Sequence, residues 1–98
     1  MDIPLQVTFR DLPHSPALDE RIREKAARLH ALSDRITRCR VTLERRHRRQ
    51  HQGGEYNVRI DVHVPEREIV VNQEHDEDVY VALRDAFEAA ERQLKAAA

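Results

Sequence analysis

Residues 34–49 read DRITRCRVTLERRHRR, and the alternation inside them decides the fold. Cys39, Val41 and Leu43 are separated by Arg38, Arg40 and Thr42. Successive side chains of a strand point to opposite faces, so this is a half-buried β-strand, apolar toward a core and arginine-bearing on the other side. Arg45, Arg46, Arg48 and Arg49 follow without apolar partners and predict an arginine-rich loop at 45–49. With Arg35 this one stretch holds seven arginines against two acids. It therefore supplies both a core strand and the strongest positive charge of the chain.

Upstream, Leu5, Val7 and Phe9 alternate with Gln6, Thr8 and Arg10, a first strand that Pro4 places at an edge or entry. Ser15-Pro16 marks a helix start, because serine caps and proline at the first position loses no needed hydrogen bond. Leu18, Ile22, Ala26, Leu29 and Leu32 then form one apolar stripe up to Ser33. Strand, helix and strand in that order predict a parallel pair joined by a helical crossover. Downstream, 47–54 (HRRQHQGG) reads as a polar loop containing both glycines. Tyr56, Val58, Ile60, Val62 and Val64 make the cleanest strand. A turn at 65–67 and a short antiparallel strand at 68–72 (EIVVN) come next, then an acidic loop over 72–77. Asp76 or Asp78 caps a last helix whose apolar face runs from Val79 to Leu94.

The expected fold class is α+β, in the order β-α-β-β-β-α. A four-stranded mixed sheet carries both helices on one face, as in double-stranded-RNA-binding domains. The bare face shows Gln6, Thr8, Arg10, Arg38, Arg40, Thr42, Asn57, Arg59, Asp61 and His63. Ninety-eight residues make a single domain, 1–98, with no room for a second core.

The net charge of −1 conceals an asymmetry. Residues 1–49 carry twelve Lys/Arg against seven Asp/Glu, and residues 50–98 carry five against eleven. This fits a polyanion-facing surface, or two halves that neutralise each other on folding. No apolar run approaches ~18 residues, so no membrane segment is expected. A lone cysteine and a start without a signal-peptide pattern point to the cytoplasm.

Catalytic chemistry finds no support. Ser15 and Ser33 are spent at helix boundaries, Cys39 faces the core, and neither glycine belongs to a phosphate loop. His47 and His51 stand four apart but among arginines that repel a cation, so neither metal nor cofactor is expected. Binding remains. Guanidinium groups donate in a planar fork suited to phosphate, and without interleaved aromatics the contact is to backbone rather than to stacked bases.

The ordered elements resemble the ribosome hibernation-promoting factor and ribosome-associated inhibitor A family over nearly the whole chain. The resemblance rests on Leu5-Gln6-Val7-Thr8, Ala17-Leu18, Lys25-Ala26-Ala27-Arg28-Leu29, Asp34-Arg35-Ile36, Asp78-Val79-Tyr80-Val81-Ala82-Leu83 and Arg92-Gln93-Leu94. It implies a non-enzymatic partner of the small ribosomal subunit. Such a protein sits where messenger and transfer RNA bind, contacts ribosomal RNA, and favours inactive ribosomes under stress or in stationary phase. By position it carries over Lys25, Arg28, Arg35 and Arg92 as RNA-binding residues, with Asp78 and Tyr80 as the signature that orders the last helix. Arg38, Arg40, Arg45, Arg46, Arg48 and Arg49 join the RNA-binding set on charge alone. Two departures stand out. The chain closes on Lys95-Ala96-Ala97-Ala98 without the lysine-rich tail of the family's short members, and Glu88 and Glu91 occupy positions usually more basic. A related subgroup continues into a cold-shock domain. The 45–49 run is expected to compensate for the missing tail, so its reversal should weaken binding more than reversal of Arg84 and Arg92. Two other readings stay open: a homodimer formed through the sheet face or edge, and a general double-stranded-RNA binder.

Overall fold

The computed structural model describes residues 4–47 and 54–96. Its elements are β1 (Leu5–Arg10), α1 (Pro16–Leu32), β2 (Arg38–His47), β3 (Gly54–Val64), β4 (Arg67–Asp76) and α2 (Val79–Ala96). They form one sheet in the order β1-β2-β3-β4, with β1 parallel to β2 and the other pairs antiparallel. α2 packs over β3 and β4, while α1 lies on the β1 side and against α2. This is the expected α+β architecture, two helices on one face of a mixed sheet.

Register follows from the alternation. Leu5, Val7 and Phe9 pair with Cys39, Val41 and Leu43, which in turn pair with Val62, Ile60 and Val58. Every member of the β2 and β3 triads is buried, so a one-residue slip would turn the arginines into the core. The helices close the core with Leu18, Ile22, Ala26 and Leu29 from α1 and Leu83 and Phe87 from α2. Ala82, Ala86 and Ala90 of α2 are fully buried at successive four-residue steps. Their small side chains let the helix backbone settle close to the sheet.

The helix starts are those the sequence predicts. The Ser15 hydroxyl accepts the Leu18 N–H at 3.2 Å, with Pro16 at the first position. Asp19 accepts from Arg23 at 2.7 Å and pairs with His14 at 3.2 Å. The hydrogen bond with His14, followed by the charge of Arg23, holds its carboxyl below the usual range. Asp78 caps α2: its Oδ1 accepts the Tyr80 N–H at 2.9 Å, and its own N–H donates to Asp76 Oδ1 at 2.9 Å.

Two predicted loops are strand instead. β2 runs through Arg45 and Arg46 to His47, paired with Tyr56, Glu55 and Gly54 of β3. Nothing apolar marks this extension, because β-ladder hydrogen bonds need no hydrophobic side chain. Likewise β4 continues through 72–76 rather than ending at Asn72. A bulge explains the missed boundary: Val58 and Ile60 oppose Glu74 and Val71, so β4 carries an extra residue and the apolar alternation stops there.

Cys39 is 3% exposed on the core face, as predicted. Burial, with the charge of Asp61 acting in the same direction, pushes its thiol up to about 11 from 9.0. The folded chain thus keeps the proton that the unfolded chain loses, so this stabilisation is complete below pH 9 and is lost as pH rises from 9 toward 11. Native labelling by an aromatic disulfide at pH 8 should run at least ~100-fold slower than in denaturant, since each unit of pKa is tenfold in thiolate. Equal rates would show an accessible thiol.

Candidate nucleic-acid interface

α1 and α2 run side by side in the same direction, because each follows a strand of the same sense in the sheet. Residues on their facing flanks meet above the core. Lys25 and Arg28 project from α1, and Arg84, Arg92 and Lys95 from α2, around a groove of about 420 Å³ floored by Leu29 and Phe87. Two acids share it. Glu91 pairs with Lys95 at 3.2 Å, and Glu88 has no ion-pair partner among the described residues. Arg84 is engaged by Asp85 at 3.2 Å. Lys25, Arg28 and Arg92 have no carboxylate within 4 Å among the described residues. These are the three helical cations carried over from the family resemblance.

At the amino-terminal end of the groove, the Arg21 guanidinium lies 5.7 Å from the centroid of the Tyr80 ring. Tyr80 is 47% exposed, so the contact clips the start of α2 to α1 from outside rather than through the core. Asp78 and Tyr80 thus lie at the start of the helix that bears Arg84 and Arg92, one as its cap and the other against α1. Neither Asp78 nor Tyr80 lines the groove.

The other predicted cations lie elsewhere. Arg35, just after α1, forms an ion pair with Glu66 of the β3–β4 turn. Arg38 and Arg40 project from the bare sheet face, on the far side from the groove. Arg46 shares that face and sits 3.6 Å from Glu44. Arg45 falls on the helix-bearing side, half-buried, its Nε enclosed without a hydrogen-bond partner among the described residues. Arg48 and Arg49 lie outside the described residues. The predicted set is therefore divided between two opposite surfaces, the hairpin and one turn.

Sequence reasoning missed Arg84 and Lys95 as groove residues, and Arg21 as the partner of Tyr80. The signal was present: Arg84, Glu88 and Arg92 repeat every four residues along α2, as Arg21 and Lys25 do along α1. Only packing shows that these two rows face one another. Among the described residues no three His, Cys, Asp or Glu side chains converge as metal ligands, and no helix is long and apolar enough to cross a membrane.

Over 90 residues the chain is 33% identical to a ribosome hibernation promotion factor of Deinococcus radiodurans, covering 92% of this chain and 46% of that protein. The chain thus spans about half the length of its curated relative. A ribosomal subunit interface protein of Coxiella burnetii has the same fold, with a TM-score of 0.79 at 22% identity over 95% of this chain and 94% of that one. The N-terminal domain of Thermus thermophilus Protein Y superposes over the whole of both chains, with a TM-score of 0.75 at 23% identity. Residues 5–98 match the sigma 54 modulation protein/S30EA ribosomal protein family, and the chain belongs to that family.

Proposed function

We propose that this chain is a cytoplasmic, non-enzymatic hibernation domain that occupies the small ribosomal subunit where messenger and transfer RNA sit, blocking translation by occlusion. The observation that carries the reading is the interhelical groove, in which Lys25, Arg28 and Arg92 point outward without carboxylate partners. Unpaired cations on a rigid frame meet phosphate at little reorganisation cost, since no existing ion pair must first break. Membership of the family and the name of the curated relative supply the ribosome as the source of that phosphate. Glu88 and Glu91 reduce the groove's charge, so contact depends on a few placed cations rather than on bulk positive potential.

Co-sedimentation with purified small subunits tests this directly. If three phosphates are neutralised, log affinity falls with log salt at a slope near −0.7 to −0.9 for each. Between about 50 and 200 mM salt the affinity should then drop roughly 20- to 40-fold. No association at the lower salt sinks the proposal. Equal affinity for any RNA duplex would instead make the chain a general double-stranded-RNA binder.

A further inference from the structure

We propose that the bare face of the sheet is a second, separate site for an RNA phosphodiester backbone, so that one chain joins two RNA segments, one on each side. The alternation that buries Cys39, Val41 and Leu43 necessarily aims Arg38 and Arg40 outward. Alternate residues of a strand stand about 6.8 Å apart on one face, so the two guanidinium groups form a ladder along β2. Gln6 lies opposite Arg40 and Thr8 opposite Thr42 in the parallel register, adding neutral hydrogen-bonding groups alongside. Together they line a shallow depression of about 400 Å³ that also receives Arg10.

A solvated sheet usually neutralises such a row across its strands, and here half of the face does so. Both oxygens of Asp61 are held by Arg59 at 3.2 Å, and Glu68 lies 3.5 Å from His63. Hydrogen bonds and charge from Asp61 hold the Arg59 guanidinium above its usual range. These acids are thereby engaged on β3 and β4. Across the sheet, Arg10, Arg38 and Arg40 have no carboxylate within 4 Å among the described residues. The cations of this face without an ion-pair partner among the described residues thus lie on β1 and β2, although Glu44 stands opposite Arg10 and Asp61 opposite Arg40 in the register.

The chemistry selects the occupant. A protein partner would need an apolar anchor, and Val70, 37% exposed on β4, is the one exposed large hydrophobic side chain described on this face. Stacked bases would need an aromatic platform, and the one ring lining the depression is the His63 imidazole, which already lies against Glu68 at 3.5 Å. Guanidinium forks with hydroxyl and amide neighbours suit phosphate oxygens. The sheet and its helical layer separate this face from the groove, and the whole body is only 16 Å across its thinnest Cα extent. One short RNA cannot serve both surfaces, but two can be held close together.

The full chain is mixed with equal amounts of a short RNA hairpin labelled with donor and with acceptor dye, at about 50 mM salt, where phosphate contacts are strong. Energy transfer and native mass spectrometry then report bridging and stoichiometry. The intact chain should carry two hairpins and give transfer. Arg38→Glu/Arg40→Glu should carry one and give none, while Arg38→Gln/Arg40→Gln shows a weaker form of the same loss without adding negative charge. Circular dichroism of each variant checks the fold. One hairpin on the intact chain that Arg38→Glu/Arg40→Glu still carries, or two retained by that variant, overturns the second site. The groove is judged separately: Lys25→Glu/Arg28→Glu/Arg92→Glu should also carry one hairpin, and two retained there would count against the groove reading alone.

Discussion

Reversing Lys25, Arg28 and Arg92 to glutamate should abolish small-subunit binding at physiological salt and weaken it by at least ~1,000-fold at low salt. Hydrogen bonds to charged groups contribute about 1.5–3 kcal/mol each, so three lost contacts alone exceed that factor before repulsion is added. The salt dependence supplies a second reading. With three phosphate contacts gone, the log–log slope should shrink by roughly 2 to 3. A loss of affinity with an unchanged slope would mean that the variants disturb the fold rather than the contacts. Single variants rank the surfaces. Arg28 has no ion-pair partner among the described residues, whereas Arg46 already sits 3.6 Å from Glu44. Arg28→Glu should therefore cost more than Arg46→Glu, and the reverse ranking would return the main contact to the β2–β3 hairpin.

That ranking shows what the sequence could and could not disclose. Strand alternation in Cys39, Val41 and Leu43 determined the sheet, its buried face and the outward row of arginines, because a period of two leaves no other assignment. The apolar stripes of both helices likewise had only one surface to cover. Residues 45–46 and 72–76 were read as loop because hydrophobic pattern was the sole signal there, and ladder hydrogen bonds and a bulge leave none. The groove was half legible. Lys25, Arg28 and Arg92 came from a family resemblance, but their convergence with Arg84 and Lys95 depends on how α1 lies against α2. Local charge density favoured residues 45–49; the cations without carboxylate partners among the described residues instead lie in the groove and on β1 and β2.

The second large effect concerns the frame that holds those cations. Leu83 is fully buried on α2, between Ala82 and Ala86 on the face turned toward β3 and β4. Leu83→Ala should destabilise the domain by about 2–5 kcal/mol, from lost transfer energy plus the cavity that a packed core cannot close. For a domain of this size each kcal/mol lowers Tm by about 4–8 °C, so a fall of roughly 8–40 °C is expected. Urea unfolding should show a lower midpoint at an unchanged slope, since the surface exposed on unfolding stays the same. Ala86→Leu probes the same contact from the opposite side. Ala86 is also fully buried, and added methylenes would lift α2 from the sheet at a cost of about 1–3 kcal/mol. Both variants should weaken ribosome binding although no groove cation is substituted, because Arg84 and Arg92 ride on the displaced helix. If Ala86→Leu left stability and binding intact, the close seating of α2 would have no part in forming the groove.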